Sequence, residues 1–348
     1  KNSASGALAM GLPLFSTIPT AFEETRFGAA EATFMLRRYR KMNSSRYPDY
    51  ANALEMIDHF SSLGFSGAQL TMHGLDSKLA KKILKRRGEL DFYMEGQIKL
   101  PKDENDIARF DQQVAETKAM EVEIIRTVCL SGRRYENFDS REAFQDFRNA
   151  SEKSLQLAEP IMRKHKMLLA VENHKDWRTD EFIEILKKID SEWVGVTLDT
   201  GNNISLLEDP MEVVKALAPY AFSVHLKDMA VEEYEDGFLM SEVNLGDGFL
   251  DISGMIAEIR KHNPDIRFNL EMITRDPLKI PCLTEEYWAT FDKISATELA
   301  VFLGKIKEHK SKKALPRISE MSADEQLALE IENNKNSVLF AKKNYGFS

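Results

Sequence analysis

Four short apolar runs, each closing on a side chain able to ligate a metal, constrain this chain more than any other feature. Leu169-Ala170-Val171 leads into Glu172, Val194 to Leu198 into Asp199, Phe222-Ser223-Val224 into His225, and Ile266 to Leu270 into Glu271. Each run has strand length and is too short for an independent helix. The closing residues are 27, 26 and 46 positions apart, and apolar residues recur at helical intervals between them, as in Glu181 to Lys188. Strand and helix therefore alternate, which requires parallel strands joined by crossover helices. About eight such units fill roughly 250 residues as a closed (β/α)8 TIM barrel, the expected α/β fold, with an N-terminal arm and a C-terminal helical extension to account for the full 348 residues. All strands of such a ring end on one face, so four strand-end side chains remote in sequence meet at one mouth.

The remaining pattern divides into an arm over 1–28, a barrel over 29–310 and an extension over 311–348. Thr33-Phe34-Met35-Leu36-Arg37 reads as the first strand, followed by a helix from Tyr50 to Leu63 that Gly64 ends. A second strand at Ala68 to Met72 precedes a basic helix from Ser77 to Arg87, with Asp76 or Ser77 as its cap. A third strand runs through Phe92-Tyr93-Met94. Asp103 to Met120 reads as helix, and Glu123 to Val128 as a strand with Arg126 inside it, either a buried ion-pair partner or a substrate contact. Beyond His225, residues up to Asp251 read as a long acidic connection, and Glu285 to Lys313 as helical. Ala323 to Tyr345 is amphipathic and charged, so it packs on the outside of the barrel or against a partner subunit of a homo-oligomer.

Composition enters mainly by exclusion. With 43% hydrophobic and 30% charged residues the chain can bury a large core. A net charge of −9 disfavours a grip on nucleic-acid backbones, which needs clustered Lys and Arg. Cys129 and Cys282 match no zinc or redox spacing and read as buried thiols. The stretch from Lys1 to Phe15 is small and apolar behind one basic residue, like the tail of a twin-arginine export signal. That points to the periplasm. It is too short for a membrane span, and the alternative is an apolar arm packed on the barrel, which would leave the protein cytoplasmic.

Two Glu, one Asp and one His, with no thiolate, suit one divalent ion such as Mn²⁺, Mg²⁺, Co²⁺ or Zn²⁺. Three carboxylates around a dication favour a neutral polyhydroxylated guest, and a sugar can chelate the ion through adjacent hydroxyl and carbonyl oxygens. An ion so placed stabilises the enediolate formed when a proton leaves the carbon beside the carbonyl. Glu172 and Glu271 are the candidate acid/base pair. His174 and Lys227, two residues beyond Glu172 and His225, fall on the same side of an extended chain and are candidate substrate contacts, as are Arg126, Gln69, His73 and Asn202. Trp177 and Tyr135, in loops after strands, could form a stacking wall for a sugar ring or pack locally. Each of these residues taken singly also has a bland reading, as a salt-bridge or packing residue.

Val171-Glu172-Asn173-His174, Leu198-Asp199-Thr200-Gly201-Asn202, Val224-His225-Leu226-Lys227-Asp228, Leu245-Gly246-Asp247-Gly248 and Asn269-Leu270-Glu271 resemble, in this order, the motif series of the xylose-isomerase-like sugar isomerase/epimerase superfamily, across roughly residues 30 to 310. The resemblance implies a TIM barrel in which Glu172, Asp199, His225 and Glu271 hold one divalent metal and the two glutamates act as acid and base in keto-sugar epimerisation. It also reaches exported members that eliminate or hydrate keto-glycosides. The endonuclease IV branch of this barrel class carries a histidine where Asn202 stands, as part of a three-zinc cluster, so a trinuclear phosphoesterase is disfavoured. A non-catalytic sugar-binding barrel would tolerate the loss of a ligand, and none is lost here.

Overall fold

The computed structural model describes residues 25–291 and 295–348. Residues 1–24, which hold the stretch read as an export-signal remnant, lie outside the described residues. Eight parallel strands close a barrel: β1 (Phe27–Ala30), β2 (Gly67–Leu70), β3 (Tyr93–Gln97), β4 (Ile124–Thr127), β5 (Leu168–Glu172), β6 (Val194–Asp199), β7 (Ala221–Leu226) and, after an inserted hairpin, β10 (Arg267–Leu270). The hairpin consists of β8 (Asp228–Tyr234) and β9 (Gly237–Val243), and β11 (Leu278–Ile280) joins it as a small antiparallel sheet. It occupies the stretch read as a long acidic connection between His225 and Asp251. Tyr135, Leu206, Tyr287, Phe302 and Ile306 cover its apolar residues in a core separate from that of the barrel.

The first strand departs from the sequence reading. Thr33–Arg37 belongs to a 3-10 turn and a short helix, and the strand lies upstream in Phe27-Gly28-Ala29-Ala30. Packing explains why so unpromising a sequence is a strand. The Tyr93 ring lies across the inside of the barrel and donates a 2.9 Å hydrogen bond to the Phe268 carbonyl. A Cβ at Gly67 would come within 2.1 Å of that ring, and one at Gly28 within 2.3 Å of its hydroxyl, so both neighbouring strands need glycine there.

Helices surround the ring, and side-chain caps fix their starts: Asn52, Asp76, Ser140 and Asp209 each accept from backbone N–H groups one turn in. The last helix, Ala323–Tyr345, opens on a Ser322/Glu325 capping box. Glu330 accepts the free N–H of Leu36 at 2.7 Å. At the far end Phe347 stacks on Phe27 of β1 at 4.7 Å and tilts against Phe268 of β10 at 5.3 Å. The segment expected as an extension thus packs along the junction of the first and last barrel strands and completes the outer layer there. Both cysteines are free, Cys282 buried and Cys129 half-buried. Among the described residues no helix is long and apolar enough to cross a membrane.

Candidate metal centre at the barrel mouth

Register explains how the four strand-end residues meet. Glu172 pairs with Thr197, Asp199 with His225, and His225 with Asn269. Alternate residues of a strand share a face, so Glu172, Asp199, His225 and Glu271 all point inward: Asp199 and His225 are direct partners, while the steps from Glu172 to Asp199 and from His225 to Glu271 each shear by two residues. All four are at most 4% exposed, and one ligand atom from each lies within 4.8 Å of the others. Among the described residues this is the one such cluster.

His225 sets the chemistry. Gln69 donates through Nε2 to Glu95 Oε2 at 3.0 Å, so its Oε1 faces His225 Nε2 at 2.8 Å and accepts that N–H. In the neutral ring the lone pair then sits on Nδ1, 3.4 Å from Glu172 Oε2, 3.4 Å from Glu271 Oε1 and 3.9 Å from Asp199 Oδ2. Nδ1 has no hydrogen-bond partner, and neither has Asp199 Oδ2, although Lys227 Nζ stands 2.8 Å from it outside hydrogen-bonding geometry. A lone pair facing three carboxylates calls for a cation. Burial opposes charge on the imidazole, yet Glu271 and Glu172 outweigh it and raise His225 to about 10. A divalent ion would take the place of that proton, and the donor set of one nitrogen and three carboxylates fits it.

The surrounding groups orient this set. Arg126 Nε donates to Glu172 Oε2 at 2.8 Å, and Asn202 Nδ2 to Oε1 at 3.0 Å. Asp199 Oδ1 accepts from the Gly201 and Asn202 N–H groups at 2.9 and 2.7 Å, which leaves Oδ2 for the centre. Lys227 Nζ lies 2.6 Å from Glu271 Oε2. Burial would raise Glu172 and Glu271, but Arg126 beside the first and Lys227 beside the second hold both carboxyls well below the usual range. Burial lifts Asp199 to about 6 against the pull of Lys227.

The other sequence candidates separate into groups. Arg126, Lys227 and Asn202 touch the ligands; Gln69, 1% exposed, stands behind His225 as its positioning residue instead of facing a substrate. His174 is close by, its Nδ1 buried without a partner, and burial with Lys175 nearby lowers it to about 3, so the ring is neutral. His73 lies on the wall of a cavity of about 680 Å³ that reaches Arg126 and is also lined by Tyr39, Thr71 and Gln97. Glu31 fixes that wall by accepting from the Thr71 N–H and Gln97 Nε2 at 2.9 and 2.8 Å. Trp177 and Tyr135 form no stacking wall. Trp177 is fully buried on Phe147 at 4.9 Å and Tyr135 packs on Tyr287 at 5.2 Å.

Sequence reasoning missed Lys175, Glu242 and Arg275. Arg275 Nε donates to the buried Glu242 of the hairpin at 3.1 Å, and Lys175 hydrogen-bonds Asn202. Arg126, Lys227, Lys175 and Arg275 thus stand among Glu172, Asp199, Glu271 and Glu242, cations that the expectation of a negative site suited to neutral guests did not count. No local signal marks them, since their partners are far away in sequence.

The sequence family described as xylose isomerase-like TIM barrel matches residues 57–291. The 3-oxo-isoapionate decarboxylase of Pectobacterium atrosepticum is 26% identical over 230 residues, covering 64% of this chain and 78% of the relative. A xylose isomerase-like TIM barrel protein from Mycobacterium smegmatis, solved with magnesium, superposes with a TM-score of 0.56 at 15% identity, over 80% of this chain and 98% of its own. D-psicose 3-epimerase, solved in the presence of D-fructose, gives 0.56 at 15% identity over 92% and 99%. At that identity the two structures share the fold.

Proposed function

The chain belongs to the xylose isomerase-like TIM barrel family, and from that premise we propose that it is a divalent-metal-dependent enzyme removing a proton beside the carbonyl of a sugar or keto-glycoside, giving isomerisation or epimerisation. The observation that carries this reading is the His225 Nδ1 lone pair aimed at three buried carboxylates. Glu172, Asp199, His225 and Glu271 would hold the ion, which supplies polarisation of the substrate carbonyl and so acidifies the neighbouring C–H bond.

Glu172 and Glu271 carry the proton. Glu172 closes β5 and Glu271 follows β10, with β6 and β7 between them in the ring, so each approaches the mouth from its own side. One carboxylate takes the proton from carbon; for isomerisation the acid so formed gives it back to the adjacent carbon, and for epimerisation the other glutamate, having first taken a proton from water, delivers that proton to the opposite face while the first releases its own to solvent. Arg126 and Lys227 keep both ionised at neutral pH, ready to accept. Neutral His174 can hydrogen-bond a sugar hydroxyl, and Tyr39, His73 and Gln97 offer polar contacts to the rest of the molecule in the adjoining cavity. A second reading, loss of carbon dioxide or water through the same carbanion, is favoured by the 26% identical decarboxylase and by the cations gathered at the mouth.

Proton exchange in D₂O with Mn²⁺ tests the first reading. NMR follows the C–H signal beside the carbonyl in D-psicose, D-fructose and 3-keto-glucosides. Exchange in the wild type that Glu172→Gln and Glu271→Gln each lower by about 10²- to 10⁴-fold supports it. A wild type inert towards the whole panel, or variants with full exchange, would overturn it. A periplasmic location is part of the proposal and rests on the apolar N-terminal stretch. Recovery of the full-length product in the cytoplasmic fraction would refute it.

A further inference from the structure

Around the four ligand residues the buried cations among the described residues each lie on a carboxylate, with one exception. Arg126 lies on Glu172, Lys227 on Asp199 and Glu271, and Arg275 on Glu242. Lys175 is 3% exposed, and among the described residues no carboxylate stands within ion-pair distance of its ammonium group. Its side chain donates to Asn202 Oδ1, the oxygen that also takes a 3.3 Å hydrogen bond from Lys227 Nζ. Asn202 has nothing more to offer, because its N–H groups go to Glu172 Oε1 and the Asn173 carbonyl. Two ammonium groups therefore converge on one neutral amide oxygen.

A buried cation without a counter-charge is costly, and an unpaired lysine ordinarily extends its head into water. The loop prevents that here. Lys175 has a φ of +52°, left-handed backbone that a lysine seldom adopts, and its carbonyl is tied by the Arg134 N–H at 2.9 Å. Burial, then Lys227 and Arg275, lower the ammonium to about 8, as befits a cation crowded by cations. Arg126, Lys227 and Arg275 are engaged by Glu172, Asp199, Glu271 and Glu242, which leaves the Lys175 ammonium as the buried cation at the mouth with a neutral amide oxygen as its acceptor.

We propose that Lys175 binds the carboxylate of the substrate: the compound turned over at this mouth is a keto sugar acid, its carboxylate set between Lys175 and Lys227 while its carbonyl faces Glu172 and Glu271. The proposal rests on the carbonyl chemistry proposed above and names the substrate class for that same site. It corrects the preference for neutral guests by the one buried cation at the mouth that no carboxylate pairs.

Calorimetric binding of L-threonate, a sugar acid, and of threitol, its neutral counterpart, tests this on the wild type, Lys175→Met and Lys175→Gln, each with and without Mn²⁺. The wild type should prefer threonate in both states. Each variant should lose about 10- to 100-fold in threonate affinity while its threitol and Mn²⁺ affinities stay unchanged, which a merely structural lysine would not produce. Variants that keep the preference overturn the proposal. So does a wild type that binds the two compounds equally, a result that stands even if neither variant folds. A wild type that takes up no Mn²⁺ overturns the metal reading instead, and the metal-free comparison still decides the role of Lys175.

Discussion

Replacing Gln69 with leucine should weaken divalent-metal binding without touching a ligand. Gln69 Oε1 accepts from His225 Nε2 at 2.8 Å, and that single contact keeps the Nδ1 lone pair pointed at Glu172, Asp199 and Glu271. Leucine has nearly the same shape and suits a barrel interior where Gln69 is 1% exposed, so the perturbation is the loss of the acceptor to His225 together with the Nε2 donor to Glu95 behind it. The His225 N–H is then buried without a partner, at a cost of about 1–3 kcal/mol, or the ring changes tautomer and turns an N–H toward the metal. Either course must be reversed on binding, and about 1–3 kcal/mol corresponds to a loss of ~5- to 150-fold in affinity, in line with the 10- to 100-fold typical of groups behind metal ligands. Titration with Mn²⁺, paired with thermal melts with and without the ion, measures the effect. Gln69→Leu protein that binds Mn²⁺ as tightly as the wild type, with the same metal-induced rise in melting temperature, would refute this account of His225.

Further expectations concern stability. Burial pushes the Glu330 carboxyl from its ordinary 4.5 up to about 8, against the Leu36 and Arg37 N–H groups that favour the ionised form. The folded state thus holds a proton that the unfolded chain releases, so this contribution is complete below pH 4.5 and is lost as pH rises through 8, by at most ~5 kcal/mol. Relative to wild type, Glu330→Gln should gain melting temperature between pH 6 and 9, and parallel curves would contradict the assignment. Phe347→Ala should cost about 3–5 kcal/mol in urea unfolding, because the ring packs on both Phe27 and Phe268 at the barrel seam; a change below 1 kcal/mol would show the C-terminus to be dispensable to closure. Gly67→Ala should also destabilise, by about 1–3 kcal/mol, since its Cβ would strike the Tyr93 ring, and unchanged urea unfolding would refute that contact.

Glu172, Asp199, His225 and Glu271 were legible in the sequence because strand alternation and parallel topology act on each of them locally: an apolar run, then a ligand, repeated. Asp76 and Gly64 were legible for the same reason, as helix signals read from immediate neighbours, whereas the first helix starts at Ala53 behind an Asn52 cap and not at Tyr50. What escaped depends on partners distant along the chain. Gly28 breaks the run in Phe27-Gly28-Ala29-Ala30 because the Tyr93 hydroxyl occupies the place of its side chain, so the Thr33–Arg37 segment drew the strand assignment. Gln69 was taken for a substrate contact because its partners His225 and Glu95 lie 156 and 26 residues away. Lys175, Glu242 and Arg275 show no spacing that joins them until the hairpin β8–β9 folds over the mouth. Trp177 and Tyr135 lie after strands as expected, but burial against Phe147 and Tyr287 was invisible without the helices that carry those rings.

The central claim, that one divalent ion sits among Glu172, Asp199, His225 and Glu271, is tested most directly by metal stoichiometry. Mn²⁺ titration of metal-stripped protein, read by the loss of the free-ion electron paramagnetic resonance signal, should give one tight site per chain, at least about 100-fold weaker in a folded His225→Ala variant than in the wild type. Wild-type protein that takes up no ion, or a His225→Ala variant that binds as tightly, would contradict the account.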